Sequence, residues 1–378
     1  MPPSETFIPL VDLEAQQLSL RDRIDARVNK VLSEGRFILG PEVSELEQQL
    51  TQFCGAGHAI SVANGTDALK IPLMAQCIGP GDAVFVPPFT FVATAEVVVD
   101  VGATPIFVDI DPGTFNMAPD ALTRSIEAVR ARGELRPRAI IPVDLFGLPA
   151  DYAAINDIAA EHELLIIADA AQSMGGSIDG RRVGSLARVS ATSFYPSKPL
   201  GCYGDGGCIF TDDEDIAGRL RIIRGHGLDP SNGDALMVGV NSRLDTLQAA
   251  ILLSKLEVFD AEIEMRQQVA RWYSERLKDV ARPPAEPAGI NSAWAVYSIL
   301  IDQRDTVRAA LTANNIGSAI YYLRPLHLHP AYERFGSGAG SMPVCEGFSS
   351  EIISLPMSPY LAEDIVARIC DTVIAAVT

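Results

Sequence analysis

Residues 165–172 form the stretch Leu165-Ile166-Ile167-Ala168-Asp169-Ala170-Ala171-Gln172. Its apolar run is typical of a strand that is buried on both faces in a parallel sheet. The run ends in a single carboxylate, and in open α/β sheets ligands bind beyond the carboxyl ends of the strands. Asp169 therefore indicates a ligand site at this edge, and capping of the following turn explains the same residue equally well.

Short β-branched runs alternate with longer helix-like stretches on both sides of this segment. The predicted strands are His58–Val62, Ala83–Val86, Pro105–Val108, Ala139–Val143, Leu164–Ala168, Val189–Phe194 and Cys208–Thr211. The predicted helices are Asp67–Cys77, Thr94–Val99, Pro119–Arg130 and Tyr152–His162. This alternation predicts an α/β fold in which helices cover a mostly parallel sheet.

The pattern changes after about residue 244. Apolar residues recur at helical spacing to about residue 280, and the segment Arg282-Pro283-Pro284-Ala285-Glu286-Pro287 then interrupts the chain. A smaller α+β part follows, with predicted strands Trp294–Ile301 and Ser318–Tyr322 and predicted helices Asp305–Asn314 and Glu363–Val377. We therefore expect a large domain over residues 1–245 and a small domain over residues 246–378.

Composition and charge exclude several classes of protein. The chain has 378 residues, of which 48% are hydrophobic and 21% charged, so a large core can form and global disorder is excluded. Its 48 Asp and Glu residues outnumber its 30 Lys and Arg residues, which gives a net charge of -18. Nucleic acids and anionic membranes require clustered Lys and Arg, so we expect neither as a partner. A small anion can still be bound locally by backbone dipoles.

Three further observations favour a cytoplasmic protein. Residues 1–6 contain no basic segment followed by an apolar run, so we expect no secretory signal. No window of about 18 apolar residues is free of charge, so we expect no membrane span. The six cysteines are scattered without a CxxC pair or zinc-ligand spacing, so we expect reduced thiols and no metal.

One lysine lies in a loop that proline and glycine stiffen. The segment is Ser193-Phe194-Tyr195-Pro196-Ser197-Lys198-Pro199-Leu200-Gly201, between two predicted strands. Lysine becomes nucleophilic when it is desolvated, and its usual covalent product is a Schiff base with a carbonyl group. The alternative is a solvated loop lysine. The glycines that follow precede a strand, so they are not the dinucleotide fingerprint and indicate a tight turn and close backbone packing instead.

The segment Ala63-Asn64-Gly65-Thr66-Asp67-Ala68-Leu69 follows a strand and opens a helix. The amides of a helix start, together with a small glycine and a hydroxyl, can bind a phosphate. Most junctions of this kind only cap the helix, and Asn64 or Thr66 is suited to that purpose. This signal is weak alone and gains meaning beside the other two.

Together, the three features match the requirements of pyridoxal phosphate. Lys198 would hold the aldehyde, Asp169 would keep the ring nitrogen protonated, and the helix start would bind the phosphate. An acidic protein can bind this anionic cofactor because the attraction is local.

On these residues the chain resembles the DegT/DnrJ/EryC1/StrS family of sugar aminotransferases, which are fold-type I pyridoxal-phosphate enzymes. The resemblance covers essentially the whole chain and implies an aspartate-aminotransferase-like large domain with a mostly parallel seven-stranded sheet, plus a smaller α+β C-terminal domain. The segments that carry it are Ser33–Val43, Asn64–Leu69, Thr90–Thr94, Asp169–Gln172, Ser193–Lys198, Gly204–Gly207, Asn241–Asp245, Pro325–His327 and Leu355–Met357.

The resemblance implies specific cofactor contacts. Lys198 matches the lysine that forms the Schiff base and moves the proton, and Asp169 matches the partner of the ring nitrogen. Gln172 lies where the family has a residue on the ring face or near the phenolic oxygen. Phe91 matches the stacking aromatic, with Phe89 or ordinary core packing as alternatives. The implied phosphate ligands are Gly65, Thr66, Asp67, Ser193 and, from a partner subunit, Asn241. That last role implies a homodimer with shared sites.

The resemblance also implies substrate contacts. Arg243 would reach a sugar carboxylate or phosphate as a bidentate fork from the neighbouring subunit. The other implied contacts are Tyr321, Tyr322 and His327, and His226 is a further candidate. For His327, a hydrogen-bonded core histidine is the alternative. Two departures leave the sugar open, because Ala168 replaces a frequent glutamate and residues 228–237 form an acidic loop.

The implied reaction is transamination of a nucleotide-linked keto sugar. An amino acid, L-glutamate by family habit, would convert the cofactor to pyridoxamine phosphate, and a UDP-2-acetamido-2-deoxy-3-keto-hexuronate would accept the nitrogen. A 4-keto sugar, or another 3-keto UDP- or dTDP-sugar, is the alternative substrate. A sugar dehydratase of the same fold is a second alternative. Such relatives have another residue, typically histidine, in place of the Schiff-base lysine, so the presence of Lys198 disfavours it. A non-catalytic cofactor-binding regulator would need an interaction module that the sequence does not indicate.

Overall fold

The computed structural model describes residues 7–378, so residues 1–6, on which the expectation about a secretory signal depends, lie outside it. The helices are α1 Leu13–Glu34, α2 Pro41–Cys54, α3 Gly65–Ala75, α4 Ala93–Asp100, α5 Pro119–Arg132, α6 Tyr152–His162, α7 Glu214–Arg224, α8 Thr246–Leu256, α9 Phe259–Leu277, α10 Arg304–Ala313, α11 Pro343–Glu351 and α12 Glu363–Val377. The strands are β1 His58–Val62, β2 Asp82–Val86, β3 Thr104–Phe107, β4 Arg136–Ile140, β5 Leu165–Asp169, β6 Ser177–Ile178, β7 Arg181–Arg182, β8 Val189–Ser193, β9 Gly207–Thr211, β10 Ile290–Asn291, β11 Tyr297–Leu300 and β12 Ile352–Leu355.

Seven strands form the main sheet in the order β1-β9-β8-β5-β4-β2-β3. Strand β9 is antiparallel to both of its neighbours, and every other pairing in this sheet is parallel. Apolar clusters cover both faces of the sheet, and helices α3, α4 and α7 contribute to one face while α5 and α6 contribute to the other. The predicted mostly parallel, seven-stranded α/β sheet is confirmed.

Strand register brings distant loops together at one edge of this sheet. Gly207 on β9 lies opposite Val62 at the end of β1 and opposite Ser193 at the end of β8. On the other side of β8, Asp169 pairs with Ala191. Strands β1, β8 and β5 run in the same direction, so their carboxyl ends meet at this edge. The start of α3, the lysine loop and the β5 end are therefore neighbours in space.

The C-terminal elements have a hydrophobic core of their own. Strands β11 and β12 pair in antiparallel fashion, and α9, α10 and α12 pack on them. The domain boundary that we predict between residues 245 and 246 stays a prediction. Two packing contacts cross it. Ile8 belongs to this C-terminal core, whereas α8 packs beside α2 against the main sheet through residues that include Leu252.

The predicted strand Ser318–Tyr322 is wrong. Only Ala319 exchanges backbone hydrogen bonds with a strand, at 3.1 and 2.8 Å to Ser354 on β12. The chain then turns, and Tyr321 and Tyr322 line the large cavity described below. Because the chain turns here, the two tyrosines do not pair with β12 and lie in the cavity wall instead.

Candidate active site

A cavity of about 530 Å³ lies at the carboxyl edge of the main sheet, between this sheet and the C-terminal elements. Its wall contains most of the residues that the sequence predicts for the site. These are Gly65, Thr66, Phe91, Asp169, Gln172, Ser193, Lys198, Tyr321 and Tyr322. Residues that lie far apart along the sequence therefore meet around a single cavity.

Lys198 extends into this cavity from the loop after β8. Its backbone amide donates a 2.8 Å hydrogen bond to the carbonyl of Tyr195, which closes a turn. Burial lowers the pKa of Lys198, and the negative charge of Asp169 opposes that shift. Among the residues that the structure describes, none accepts a hydrogen bond from its Nζ. The result is an amine biased toward the neutral, nucleophilic form.

Asp169 ends β5 and is 6% exposed. Its Oδ2 accepts a 2.7 Å hydrogen bond from Thr94 Oγ1, and its Oδ1 accepts one of 3.3 Å from the amide of Ala171. Both interpretations of Asp169 therefore hold, because it caps the turn and also lines the cavity. Burial raises its pKa, and the hydrogen bond from Thr94 acts most strongly in the opposite direction.

The start of α3 presents donors to the same cavity. The Asn64 side chain caps the helix by accepting a 2.7 Å hydrogen bond from the amide of Asp67. No acceptor in residues 7–378 contacts the amides of Gly65 and Thr66. The Ser193 side chain lies beside these two amides. A Cβ added to Gly65 would be only 2.7 Å from the Cβ of Ser193. Two amides and a hydroxyl thus meet where an anion can be bound.

Glycine at position 207 is required by the same close packing. A Cβ at this position would lie 2.5 Å from the carbonyl oxygen of Asn64 and 2.9 Å from that of Thr192. Any side chain would push the start of α3 away from β8. The glycines after the lysine loop therefore serve close backbone packing, as the sequence predicts.

The two phenylalanines proposed for stacking have different positions. Phe91 is 58% exposed and lines the cavity, so it is not a core residue. Phe89 is fully buried and contacts Tyr322 edge-on, with ring centroids 5.8 Å apart. Of the two, only Phe91 has a face available to a ligand.

Gln172 connects two parts of the cavity wall. Its Oε1 accepts a 2.6 Å hydrogen bond from the amide of Phe146, and its Nε2 donates one of 3.4 Å to the hydroxyl of Tyr322. Burial raises the pKa of Tyr322, so this hydroxyl stays protonated at neutral pH. The bonded amide fixes the orientation of the Gln172 side chain toward the tyrosines.

Several predicted site residues lie outside this cavity. His327 is fully buried, with its Nε2 3.1 Å from Glu346 Oε1, as expected for a hydrogen-bonded core histidine. The Asp67 carboxylate accepts a 3.3 Å hydrogen bond from Asn64 Nδ2 and does not line the wall. The remaining residues outside the wall are His226, Asn241 and Arg243.

Sequence reasoning missed several residues of the site, and four of them bear on its geometry. Thr94 orients Asp169, and Leu10 and Val11 supply an apolar part of the cavity wall. Asp144 lies directly behind the wall and accepts a hydrogen bond from Ser173. A signal for Asp144 exists, because it follows the predicted strand Ala139–Val143 just as Asp169 follows its own strand. Thr94 lies in the resemblance segment Thr90–Thr94 without an assigned role, and Leu10 and Val11 have no local signal.

The cavity fits pyridoxal phosphate on its own geometry. Within residues 7–378, the Lys198 amine has no hydrogen-bond partner and the amides at the start of α3 have no acceptor, while Asp169 supplies a buried carboxylate. Within the described part of the chain, no group of three or more His, Cys, Asp or Glu could hold a metal ion. No helix in residues 7–378 is both long and apolar enough to cross a membrane. Fold and site together define a fold-type I pyridoxal-phosphate enzyme.

Comparison with known proteins identifies the family. Residues 19–374 match the model of the DegT/DnrJ/EryC1/StrS aminotransferase family, and the chain belongs to this family. It is 48% identical over 366 residues to a UDP-2-acetamido-2-deoxy-3-oxo-D-glucuronate aminotransferase of Pseudomonas aeruginosa, covering 96% of this chain and 99% of that one. It is 41% identical over 370 residues to a UDP-N-acetyl-3-dehydro-alpha-D-glucosamine 3-aminotransferase of Acidithiobacillus ferrooxidans, covering 97% of each.

Solved structures agree with this assignment. A DegT/DnrJ/EryC1/StrS aminotransferase from Brucella abortus superposes with a TM-score of 0.96 at 51% identity, covering 98% of this chain and 99% of that one. NtdA from Bacillus subtilis with bound cofactor PMP superposes with a TM-score of 0.86 at 27% identity, covering 95% of this chain and 82% of that one. The protein is a pyridoxal-phosphate-dependent sugar aminotransferase, and the fold and cofactor inferred from the sequence are confirmed.

Proposed function

We propose that the enzyme transfers the amino group of L-glutamate to the C3 carbonyl of a UDP-linked 2-acetamido-2-deoxy-3-keto-hexuronate. The observation that carries this proposal is the meeting of Lys198 and Asp169 in one cavity at the carboxyl edge of the sheet. The choice of sugar is supported by the 48% identity to the Pseudomonas enzyme, whose name specifies that keto sugar.

Each residue of the cavity has a task in this reaction. Bound pyridoxal phosphate supplies an electron sink and a temporary carrier for the amino group. Lys198, whose pKa burial lowers, would remove a proton from the carbon that bears the transferred nitrogen and return it to the aldehyde carbon of the cofactor. Asp169 would accept a hydrogen bond from the protonated ring nitrogen, and the hydrogen bond from Thr94 holds the carboxylate in place for that task. Phe91 would cover one face of the ring and exclude water from it.

The start of α3, together with Ser193, is the proposed binding site for the cofactor phosphate. The amides of Gly65 and Thr66 and the hydroxyl of Ser193 would donate to the phosphate oxygens, where the helix dipole also favours negative charge. These donors are local, so they can bind an anion although the whole chain carries a net charge of -18.

We assign Asn241 and Arg243 to the site of a partner subunit in a homodimer. Both lie outside the cavity of their own protomer. Arg243 is followed closely by Asp245, whose backbone bridges to Ile38 in an exposed apolar segment. Large exposed apolar side chains mark protein interfaces. Those near the segment and the lysine loop are Phe37, Ile38, Leu39, Tyr195 and Tyr203. In the dimer, Arg243 would bind the carboxylate or the diphosphate of the sugar nucleotide.

We also place the enzyme in the cytoplasm. All six cysteines are free, and five of them are buried. Free cysteines are typical of a reducing compartment. UDP-sugars and L-glutamate would then be available to the enzyme without transport.

The test has two parts, because the chemistry and the sugar are separate questions. L-Glutamate added to the holoenzyme should convert its visible absorbance band to the pyridoxamine form and release 2-oxoglutarate, which excludes a non-catalytic regulator. In a separate assay the pyridoxal-phosphate form of the holoenzyme, without L-glutamate, is offered aminated UDP- and dTDP-sugars, which in the reverse direction should convert it to the pyridoxamine form and yield the keto sugar. We expect the fastest conversion with UDP-2-acetamido-3-amino-hexuronate.

Three results would contradict the proposal in different ways. One such result is faster conversion of the UDP-amino sugar that has a hydroxymethyl group in place of the hexuronate carboxylate. It would favour the sugar named for the Acidithiobacillus relative. Conversion of only 4-amino sugars would move the reaction to C4. A deoxy-keto product without amino transfer would indicate a dehydratase.

A further inference from the structure

Asp144 is a buried carboxylate that lies behind the cavity wall and does not line it. It follows β4, the neighbour of β5 in the sheet, so it lies beside the end of the strand that carries Asp169. Its Oδ1 accepts hydrogen bonds of 2.9 Å from the amide of Ala150 and from the hydroxyl of Tyr152. Its Oδ2 accepts one of 2.6 Å from the hydroxyl of Ser173. Both carboxylate oxygens are therefore hydrogen-bonded within the protein.

Two hydrogen bonds connect Asp144 to the turn that starts at Asp169. The amide of Asp144 donates to the carbonyl of Asp169 at 3.0 Å, and Ser173 at the far end of the turn donates to the carboxylate. Asp169 ends β5 and Gln172 lies in the turn that follows, so the whole segment 169–173 is only five residues long. Asp144 thus holds the two ends of the segment that presents these side chains to the cavity.

The same carboxylate closes the loop of residues 144–150. Ala150 at the end of the loop donates to Asp144 at its beginning. Between them, the amide of Phe146 points at Gln172 Oε1, and Phe146 has a positive φ of 59°. A non-glycine residue adopts this conformation only where its surroundings enforce it. Closure of the loop by Asp144 is one such constraint.

We propose that Asp144 is a positioning residue, which fixes Asp169 and Gln172 in the geometry that the cofactor requires without touching cofactor or substrate. Removal of its carboxylate would leave three buried donors without an acceptor. The loop and the turn would then move apart, and a displacement of about 1 Å at a catalytic group can lower a rate about a hundredfold.

Three variants separate hydrogen bonding from charge. In Asp144→Ala all three bonds are lost. In Asp144→Asn the amide oxygen can accept from Ala150 and Tyr152, and the amide nitrogen can donate to the Ser173 oxygen, so every partner stays bonded without the charge. In Ser173→Ala only the bond to the turn is lost, which provides a milder variant if Asp144→Ala does not fold.

Asp82→Ala is the matched control for loss of a buried aspartate. Asp82 is 1% exposed, pairs with Arg136 at 2.9 Å and accepts a hydrogen bond of 3.0 Å from the amide of Gly79. It begins β2, so it lies at the opposite end of the sheet from the cavity. Its removal should lower stability and leave the geometry of the turn unchanged.

The experiment combines a readout on the apoenzyme with one on bound pyridoxal phosphate. Hydrogen exchange of the apoenzyme should show amides of 144–150 and 169–173 exchanging about tenfold faster in Asp144→Ala than in the native protein. The Kd for pyridoxal phosphate should rise about tenfold, and the induced circular dichroism of the bound cofactor should change. Ser173→Ala should shift both in the same direction but less. Asp144→Asn should stay within about twofold of the native values.

Two results would overturn the proposal. Native Kd and native dichroism in both Asp144→Ala and Ser173→Ala would limit Asp144 to a structural role. Equal effects in Asp144→Asn and Asp144→Ala would show that the charge matters rather than the hydrogen-bond geometry. For Asp82→Ala we expect a lower Tm with native cofactor binding. A change in cofactor binding as large as that of Asp144→Ala would attribute both to global destabilisation.

Discussion

Thr94 Oγ1 donates a 2.7 Å hydrogen bond to Asp169 Oδ2, and this bond connects residues that are 75 positions apart. Thr90 extends this series of hydrogen bonds, because its hydroxyl lies 3.1 Å from that of Thr94. Asp169, the carboxylate that we propose for the ring nitrogen, is therefore oriented by the first turn of α4. Both threonines lie in the segment Thr90–Thr94 that carries the family resemblance, but the resemblance assigns neither of them this task.

Loss of the Thr94 hydroxyl should impair catalysis more than stability. Thr94→Val keeps the shape of the side chain and removes the hydrogen bond to a buried carboxyl, an interaction of about 1.5–3 kcal/mol when the acceptor is charged. We expect kcat to fall about tenfold or more, and Thr94→Ser to restore most of it. The measurement is single-turnover kinetics with L-glutamate. A native rate in Thr94→Val would show that Asp169 does not need this donor.

Replacement of Lys198 should abolish both turnover and the visible band of the bound cofactor. Lys198→Ala removes the one amine-bearing side chain that the described residues contribute to the cavity wall. Lys198→Arg should not restore activity, because a guanidinium stays protonated. Lys70→Ala is the control, since Lys70 pairs with Asp100 on the neighbouring helix. A native absorbance spectrum in Lys198→Ala would contradict the assignment.

Gly65→Ala should weaken cofactor binding through a steric conflict. The new Cβ would lie 2.7 Å from the Cβ and 3.0 Å from the Oγ of Ser193, both at the expected phosphate site. We expect the Kd for pyridoxal phosphate to rise at least about tenfold, which corresponds to about 1.4 kcal/mol. Gly218→Ala in α7 is the control, because no atom lies within 4 Å of its new Cβ. That change should stabilise the protein by about 0.5–1 kcal/mol.

The charge on Asp144 should make stability depend on pH. Burial raises the pKa of Asp144 from 3.8 to about 6, so the folded protein holds this proton more tightly than the unfolded chain. The resulting stabilisation is complete below the unfolded pKa and is lost as the pH rises through about 6. Asp144→Asn cannot lose this proton. The stability of the native protein relative to Asp144→Asn should therefore decrease between about pH 4 and about pH 6.

Urea unfolding of the two apoenzymes at several pH values measures this difference. Asp169, whose pKa burial also raises, and Tyr152 are the titratable groups that act on Asp144, and both are present in the two proteins. Their own contributions cancel to first order in the comparison. A difference in unfolding free energy that does not change with pH would show that Asp144 stays ionised throughout this range.

Mixed dimers can test whether Arg243 acts in the partner subunit. Arg243→Ala and Lys198→Ala should each be inactive as homodimers. In a heterodimer of the two, one site receives Lys198 from one subunit and Arg243 from the other. We expect this heterodimer to recover about half of the native activity, since one of two sites is complete. No recovery after verified subunit exchange would place Arg243 in the site of its own chain.

Local sequence patterns determined much of what lies at the carboxyl edge of the main sheet, where the cavity is. The apolar run that ends at Asp169, the Pro- and Gly-rich loop around Lys198 and the helix start at Gly65 each follow from a few neighbouring residues. Strand ends and helix starts are short-range features, so they can be read along the chain. The parallel order of the sheet implies that such strand ends meet, and the register through Gly207 realises this.

Tertiary structure alone decided which other side chains reach that edge. Thr94 and Leu10 enter the site through contacts with residues far away in sequence, and His327 lies outside it because its imidazole pairs with Glu346 in the core. The expected strand at residues 318–322 likewise gives way to a turn beyond Ala319. The physical reason is the same in each case. A side chain's neighbours in space depend on strand register and on the packing of the C-terminal elements against the sheet, and neither is encoded within a few consecutive residues.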